Sequence, residues 1–456
     1  MDLSEHLAQC HAALKRSVAA LGGDAESPRL AEIADLIIRS MTGPWRSFHT
    51  PQHIFDVGRD GSPVEVIAAL FHDLVYVQVD AGIPLNLSRH LAAHVREVGH
   101  TLVLETAPAP DDTGLRLTLA LFGFAPGQAL SPLAGQNEFL SALVAVKALE
   151  GLLGWRDLAQ VVVCIEATIP FRGALPDGRP CEAAMHERLT AANAHFALGL
   201  TPADCTLAVE RAVRLANRDI GNFGSAHPAE FLNNTWNLIP ETNHDLQQVN
   251  TFSIQGYRSS LQKMEGFLGQ LRPEVVFRRY GQEPDAAEHA LRLQRTTRNL
   301  AIAVQYLRVK LISIGLLEAL SRRMGCDVSL SAVMGPLLER DARALQLEHH
   351  LPGVPAPYRT QDANEACVME LLETGRSADS AYDTRHSPVA SYLVKSLGMP
   401  AVLQMLPATR SFFADAQQAE ALLQAWPPAA LAAVREAMVT LFQRRIQALQ
   451  GLALEA

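Results

Sequence analysis

The chain has 456 residues, 48% of them hydrophobic and 19% charged, and a formal net charge of −9. At about 150 residues per domain this is material for two or three domains, and the acidic balance excludes a nucleic-acid partner held by bulk electrostatics. No run reaches the ~18 uninterrupted apolar residues of a membrane span, and six scattered cysteines (10, 164, 181, 205, 326, 367) form no Cys-x-x-Cys pair, so no membrane partner, zinc finger or disulfide scaffold is expected.

The opening Met1-Asp-Leu-Ser-Glu-His6 carries no signal-peptide pattern, and with reduced thiols the expected location is cytoplasmic. Alternating β-branched runs are scarce, whereas Ala, Leu and Arg recur at a spacing near 3.6. The pattern predicts an all-α protein. In chain order the helices are expected at 3–21, 28–41, 51–58, 63–75, 87–105, 137–152, 155–169, 181–197, 202–220, 228–236, 244–270, 284–324, 328–347, 360–375, 387–396, 400–405, 415–425 and 428–451. Pro, Gly and Asp crowd 106–135, 173–180 and 351–357 and predict loops there; 106–135 is expected to be irregular and mobile beside the pocket. The long periodic stretch 285–324 predicts either a core helix or a homodimer interface.

Chemistry concentrates in two places. Arg46-Ser-Phe-His49-Thr-Pro-Gln-His53-Ile-Phe-Asp56 offers two histidines four apart, with Pro51 at the expected first helical turn, so both imidazoles can share one helical face. Val64 to Phe71 is apolar nearly all round and ends in His72-Asp73. An ionised Asp behind such a helix is costly unless paired or bound to a metal. Asp219 follows Ala212, Leu215 and Ala216 at same-face spacing and points along an apolar stripe. These residues predict a divalent metal site.

His…His-Asp…Asp resembles the signature of the HD superfamily, all-helical metal-dependent phosphohydrolases. Phe48-His49-Thr-Pro-Gln-His53-Ile-Phe-Asp56-Val is similar to the first motif of cyclic-nucleotide phosphodiesterases and of a bacterial group of HD phosphohydrolases. That group continues with motifs matched by Phe71-His72-Asp73-Leu-Val-Tyr76, by Asn137-Glu138-Phe-Leu-Ser141-Ala142 and by Ile165-Glu166-Ala-Thr168. The resemblance covers roughly 40–225. It implies an HD helical bundle over 1–236, with an insertion at about 82–135, and an additional helical region over 237–456. It also implies His53, His72, Asp73 and Asp219 as metal ligands and His49 as general acid; other members of the superfamily use the first-motif His as a ligand, which leaves both roles open for His49. The phosphodiesterases have a further His just after His-Asp, whereas residues 74–80 contain none, leaving Asp80 or Glu138 for a second ion.

Two carboxylates have alternative readings. Glu166 lies in an apolar helix and is either paired with Arg172 or placed beside the metal. Glu138 either favours a helix N-terminus, behind Asn137 as its cap, or serves the site. His90 and His94, His349-His350 and Arg278-Arg279-Tyr280 read as solvated. The implied reaction is hydrolysis of a small phosphate ester by water activated at Mn, Fe, Mg, Co or Zn, with His49, Glu138 and Glu166 as catalytic candidates. The rival readings are an HD-fold di-iron oxygenase and a non-catalytic ligand-sensing or scaffold module.

Overall fold

The computed structural model describes residues 2–107, 109–247, 252–325, 328–335, 346–354, 358–380 and 382–450. Among them the protein is all-α, apart from one two-stranded antiparallel ribbon. The chain forms two compact units. The first is Met1–Gly224 with Arg272–Gln294, the second Ser225–Leu271 with Arg295–Ala456. The division thus falls at Gly224 where the sequence suggests 236, and a later segment returns to the first unit.

The first unit contains α1 (Leu3–Ala20), α2 (Arg29–Met41), α3 (Pro51–Gly58), α4 (Pro63–Phe71), α5 (Leu85–Leu91), β1 (Val95–Val98), β2 (Thr101–Leu104), α6 (Thr113–Phe122), α7 (Gln136–Leu149), α8 (Trp155–Ala167), α9 (Cys181–His195) and α10 (Pro202–Asp219). Their starts are written locally. Asp2 with Glu5, Ser62 with Glu65 and Thr201 with Asp204 form capping boxes, and Pro51, Pro63 and Pro202 open their helices. Every residue of α8 from Leu158 to Ala167 is buried. A helix apolar all round belongs in the middle, and α8 packs against α4, α6, α7, α9 and α10.

The insertion departs from expectation twice. The helix expected over 87–105 stops at Leu91, and β1 and β2 pair with Val95 opposite Leu104. Gly99, at φ +65°, turns the chain between them, a conformation that favours glycine. The loop expected over 106–135 contains α6, capped by Asp112 and ended by Gly123 at φ +69°. Leu115, Leu117, Leu119 and Leu121 of α6 are buried, and the helix packs on α7, α8 and α9. The centre of this stretch is therefore core.

The return segment holds α13 (Pro273–Val276) and the start of α14 (Ala286–Arg322). Arg278, expected in solvent, is buried. Its guanidinium donates to the carbonyls of Ala167 and Ile169 at the end of α8. Asn217 of α10 brackets the Arg278 backbone, donating to its carbonyl at 2.8 Å and accepting from its N–H at 3.0 Å. These bonds hold the segment in the first unit.

The second unit is built on α11 (Pro228–Thr242), α12 (Ile254–Gln270) and the rest of α14. By length and composition α14 can cross a membrane, but 78% of its apolar window is buried in the protein. Its positions from Tyr306 to Ser321 are almost all buried, apart from Arg308, as in a core helix. The helix expected over 328–347 begins at Leu330 and runs to Met334; 336–345 lie outside the described residues.

Leu117 is fully buried on α6. Leu117→Ala is expected to destabilise the protein by about 2–5 kcal/mol in urea denaturation. A loss under about 0.5 kcal/mol, the size of a surface change, would return this stretch to the periphery.

Candidate metal centre

Three helix ends converge. His72 caps the C-terminus of α4, and its Nδ1 bonds the Ala69 carbonyl at 2.8 Å. That bond makes Nδ1 the protonated nitrogen and leaves the Nε2 lone pair for the site. Asp73 follows directly. His53 is the third residue of α3, and Asp219 is the last of α10.

The Nε2 atoms of both histidines face both carboxylates. His53 Nε2 lies 3.0 Å from Asp219 Oδ1 and 3.3 Å from Asp73 Oδ2. His72 Nε2 lies 2.9 Å from Asp73 Oδ2 and 3.3 Å from Asp219 Oδ1. One ligand atom from each residue falls within 4.8 Å of all the others. Asp73 Oδ2 is buried and, despite its short approach to His72, out of line for a hydrogen bond. Two imidazole nitrogens and two carboxylates around an orphaned oxygen fit a divalent cation of the Mn, Fe, Co or Zn kind.

Electrostatics reflect the same crowding. Burial alone would depress His53; the Asp219 and Asp73 carboxylates overcome it and raise it to about 9. Burial likewise opposes charge on His72, yet Asp73 and Asp219 hold its pKa well above the ordinary value. Burial would raise Asp219, but His72 and His53 hold it at about 2. Without a metal, protons on the imidazoles neutralise the carboxylates.

Other expected site residues are distributed as follows. His49 precedes α3 instead of sharing a helical face with His53, because Thr50 is the N-cap. Its ring still stands 5.7 Å from that of His53 and 4.8 Å from that of Tyr76. Glu138, on the first turn of α7, has a buried Oε2 without a hydrogen-bond partner. Burial, with Asp73 and Asp219 nearby, pushes its pKa up to about 7; a cation at the cluster would draw it down again. Glu166 is the arginine-paired alternative: Arg172 binds it at 2.7 and 3.1 Å and Arg188 at 2.6 Å. Asp80 is committed to Arg46, which binds it at 2.7 and 3.1 Å. His94 is 3.7 Å from Asp112 with its side chain 14% exposed, so it is partly enclosed.

Sequence reasoning missed the residues that hold these ends in place. Arg46 also donates to the Asp73 and Leu74 carbonyls, at 2.7 and 3.2 Å. The Asn-Glu-x-x-Ser segment has a positional role: Ser141 Oγ accepts from the Val75 N–H at 3.0 Å and Asn137 from the Val77 N–H at 3.2 Å. Gly135, not Asn137, occupies the cap of α7. Arg218, next to Asp219, donates to buried Glu65 of α4 at 2.9 Å and to the Arg59 carbonyl after α3 at 3.1 Å. One side chain thus joins the three helices that bear the cluster. An Arg beside a candidate ligand, with a Glu inside an apolar helix, was the available signal.

Comparison with protein-family models, curated proteins and solved structures gives no match.

Asp73→Ala is expected to lose bound metal in elemental analysis while the far-ultraviolet circular dichroism stays that of the folded protein. Full metal content in Asp73→Ala would place the ion elsewhere. Protonation gives a second check. His53 is raised from 6.5 to about 9, so in chelator-treated protein its contribution is complete below the unfolded value near 6.5 and lost as pH rises through about 9. The melting temperature of that protein should fall across this window. Metal addition should release protons, read by calorimetry in two buffers, and bind more tightly at higher pH.

Proposed function

We propose that the protein is a metal-dependent phosphohydrolase that cleaves a small phosphate ester. The supporting observation is the convergence of His53, His72, Asp73 and Asp219 on one point around the orphaned Asp73 oxygen. A divalent ion held by these four would supply positive charge for the phosphoryl oxygens and acidify a water. Among the described residues no further histidine joins the set, which favours this reading over a di-iron oxygenase.

The chain's own groups have separate tasks. His49 stands against His53 and Tyr76 but outside the ligand set. It is placed to hold a proton and deliver it to the leaving oxygen. Glu138 has an unpartnered carboxylate oxygen within the electrostatic reach of Asp73 and Asp219. It orients the attacking water and accepts its proton. Glu166 has no part in the chemistry in this reading: it is paired with Arg172 and Arg188.

The test compares substrates. Metal-loaded protein should hydrolyse members of a panel of phosphomonoesters, cyclic nucleotides and nucleotides. His49→Ala should keep its metal and lose roughly 10²–10⁴-fold in kcat on an alkyl ester. The loss should shrink sharply on a p-nitrophenyl ester, whose leaving group needs little protonation. Equal losses on both, or metal loss in His49→Ala, would make His49 a ligand instead.

A further inference from the structure

The second unit has a polar centre of its own. Asp383 Oδ2 accepts from Tyr257 Oη at 2.7 Å and from Trp236 Nε1 at 2.9 Å. It also pairs with Lys310 Nζ at 2.9 Å and Arg376 Nη1 at 3.4 Å. The Lys310 side chain is 6% exposed and that of Arg376 0%. Among the described residues no other carboxylate pairs with either cation. Two buried cations therefore share one carboxylate, and the centre carries one positive charge in excess. A buried charge of this kind calls for a counter-ion.

The donors needed for such an ion are present. An ammonium has three N–H donors; Asp383 takes one and Ser387 Oγ, at 3.1 Å, a second. The third has no acceptor among the described residues. Tyr306 Oη accepts from Arg376 and lies 3.0 Å from Ser387 Oγ. With Tyr306 donating along this bond, the Ser387 hydroxyl proton is left to donate elsewhere. Lys310, Asp383, Ser387, Tyr257 and His386 line a recess of about 40 Å³ that opens to solvent, whose remaining walls include Ile314, Leu317, Leu330 and Val389. A concave site with a few converging polar groups at one end and apolar walls suits a small molecule with one charged end.

We propose that this recess binds a short-chain organic carboxylate, its anionic end on Lys310 and Ser387 and its apolar end against Leu317 and Leu330. A carboxylate fits better than a multiply charged anion, because one positive charge is in excess and most of the wall is apolar. The inference is independent of the phosphohydrolase reading: every residue involved belongs to the second unit.

The test uses the full chain and butyrate, with chloride and inorganic phosphate as competitors at constant ionic strength. Calorimetry and thermal shift should show saturable one-to-one binding of butyrate, weaker for chloride and phosphate. Lys310→Met should weaken it by about tenfold or more, the loss of one charge-assisted hydrogen bond. Ser387→Ala, which keeps the Lys310–Asp383 pair, should weaken it less and serves if Lys310→Met fails to fold. Asp73→Ala should bind butyrate as the parent protein does. Absence of saturable binding at millimolar butyrate overturns the proposal. So does unchanged affinity in Ser387→Ala together with either unchanged affinity or misfolding in Lys310→Met. Tighter binding of chloride or phosphate overturns the carboxylate assignment, and loss of binding in Asp73→Ala moves the ligand to the metal cluster.

Discussion

Asp73 and Asp219 hold two carboxylates against the same pair of imidazole nitrogens. At about 4 Å, like charges repel by about 4 kcal/mol at the effective dielectric of a protein surface. The arrangement persists only if a cation, protons or a metal ion, sits among them and the surrounding chain cannot relax away. The first unit meets that second condition with buried ionic ties. Arg218 fastens α10 to Glu65 of α4 and to the chain end after α3. Arg46 fixes the backbone on the far side of Asp73. Asn137 and Ser141 take the next N–H groups along. Each cluster residue therefore stands at a helix end whose position is set by a neighbour, and the apolar body of α8 underlies α4 and α10.

The two units solve opposite electrostatic problems. The first gathers carboxylates around neutral or protonated imidazoles. The second gathers an ammonium and a guanidinium around Asp383, with aromatic donors on the same oxygen. Arg376 also stacks 4.3 Å over the Trp236 ring, which lets a guanidinium remain buried with less hydration lost. Neither centre is a hydrophobic core with a stray charge. Both are networks in which removing one member strands the others.

Much of this was legible in the sequence. The 3.6 spacing gave the helices, and the apolar run ending in His72-Asp73 announced a paired carboxylate. The same-face spacing of Asp219 aimed it inward. What escaped notice depended on distance along the chain. The ties Arg46–Asp80, between two connecting segments, and Arg218–Glu65, between two helices, join residues far apart in the chain, so no local pattern pairs them. Leu and His positions prolong the helical period past Leu91 and mask the ribbon at 95–104, although Val-Arg-Glu-Val and Thr-Leu-Val-Leu flank a turn glycine. In 106–135 the density of Pro and Gly hid α6, whose Asp112 cap and terminal Gly123 were ordinary helix signals. For Arg278, tertiary bonding to carbonyls at the end of α8 overrode a polar local context.

The returning segment has a consequence for how the protein is made. A ribosome releases the chain from its N-terminus, and domains generally fold as they emerge. When Gly224 leaves the exit tunnel, all four residues of the cluster are out, but the carbonyls at the end of α8 and the side chain of Asn217 still lack Arg278. They stay open to water while Ser225–Leu271, a piece of the other unit, is synthesised. The unit that carries the histidine–aspartate cluster is therefore completed late in translation, with the second unit already begun. A gene fragment that stops where the cluster stops encodes all four of its residues and still leaves the unit unfinished.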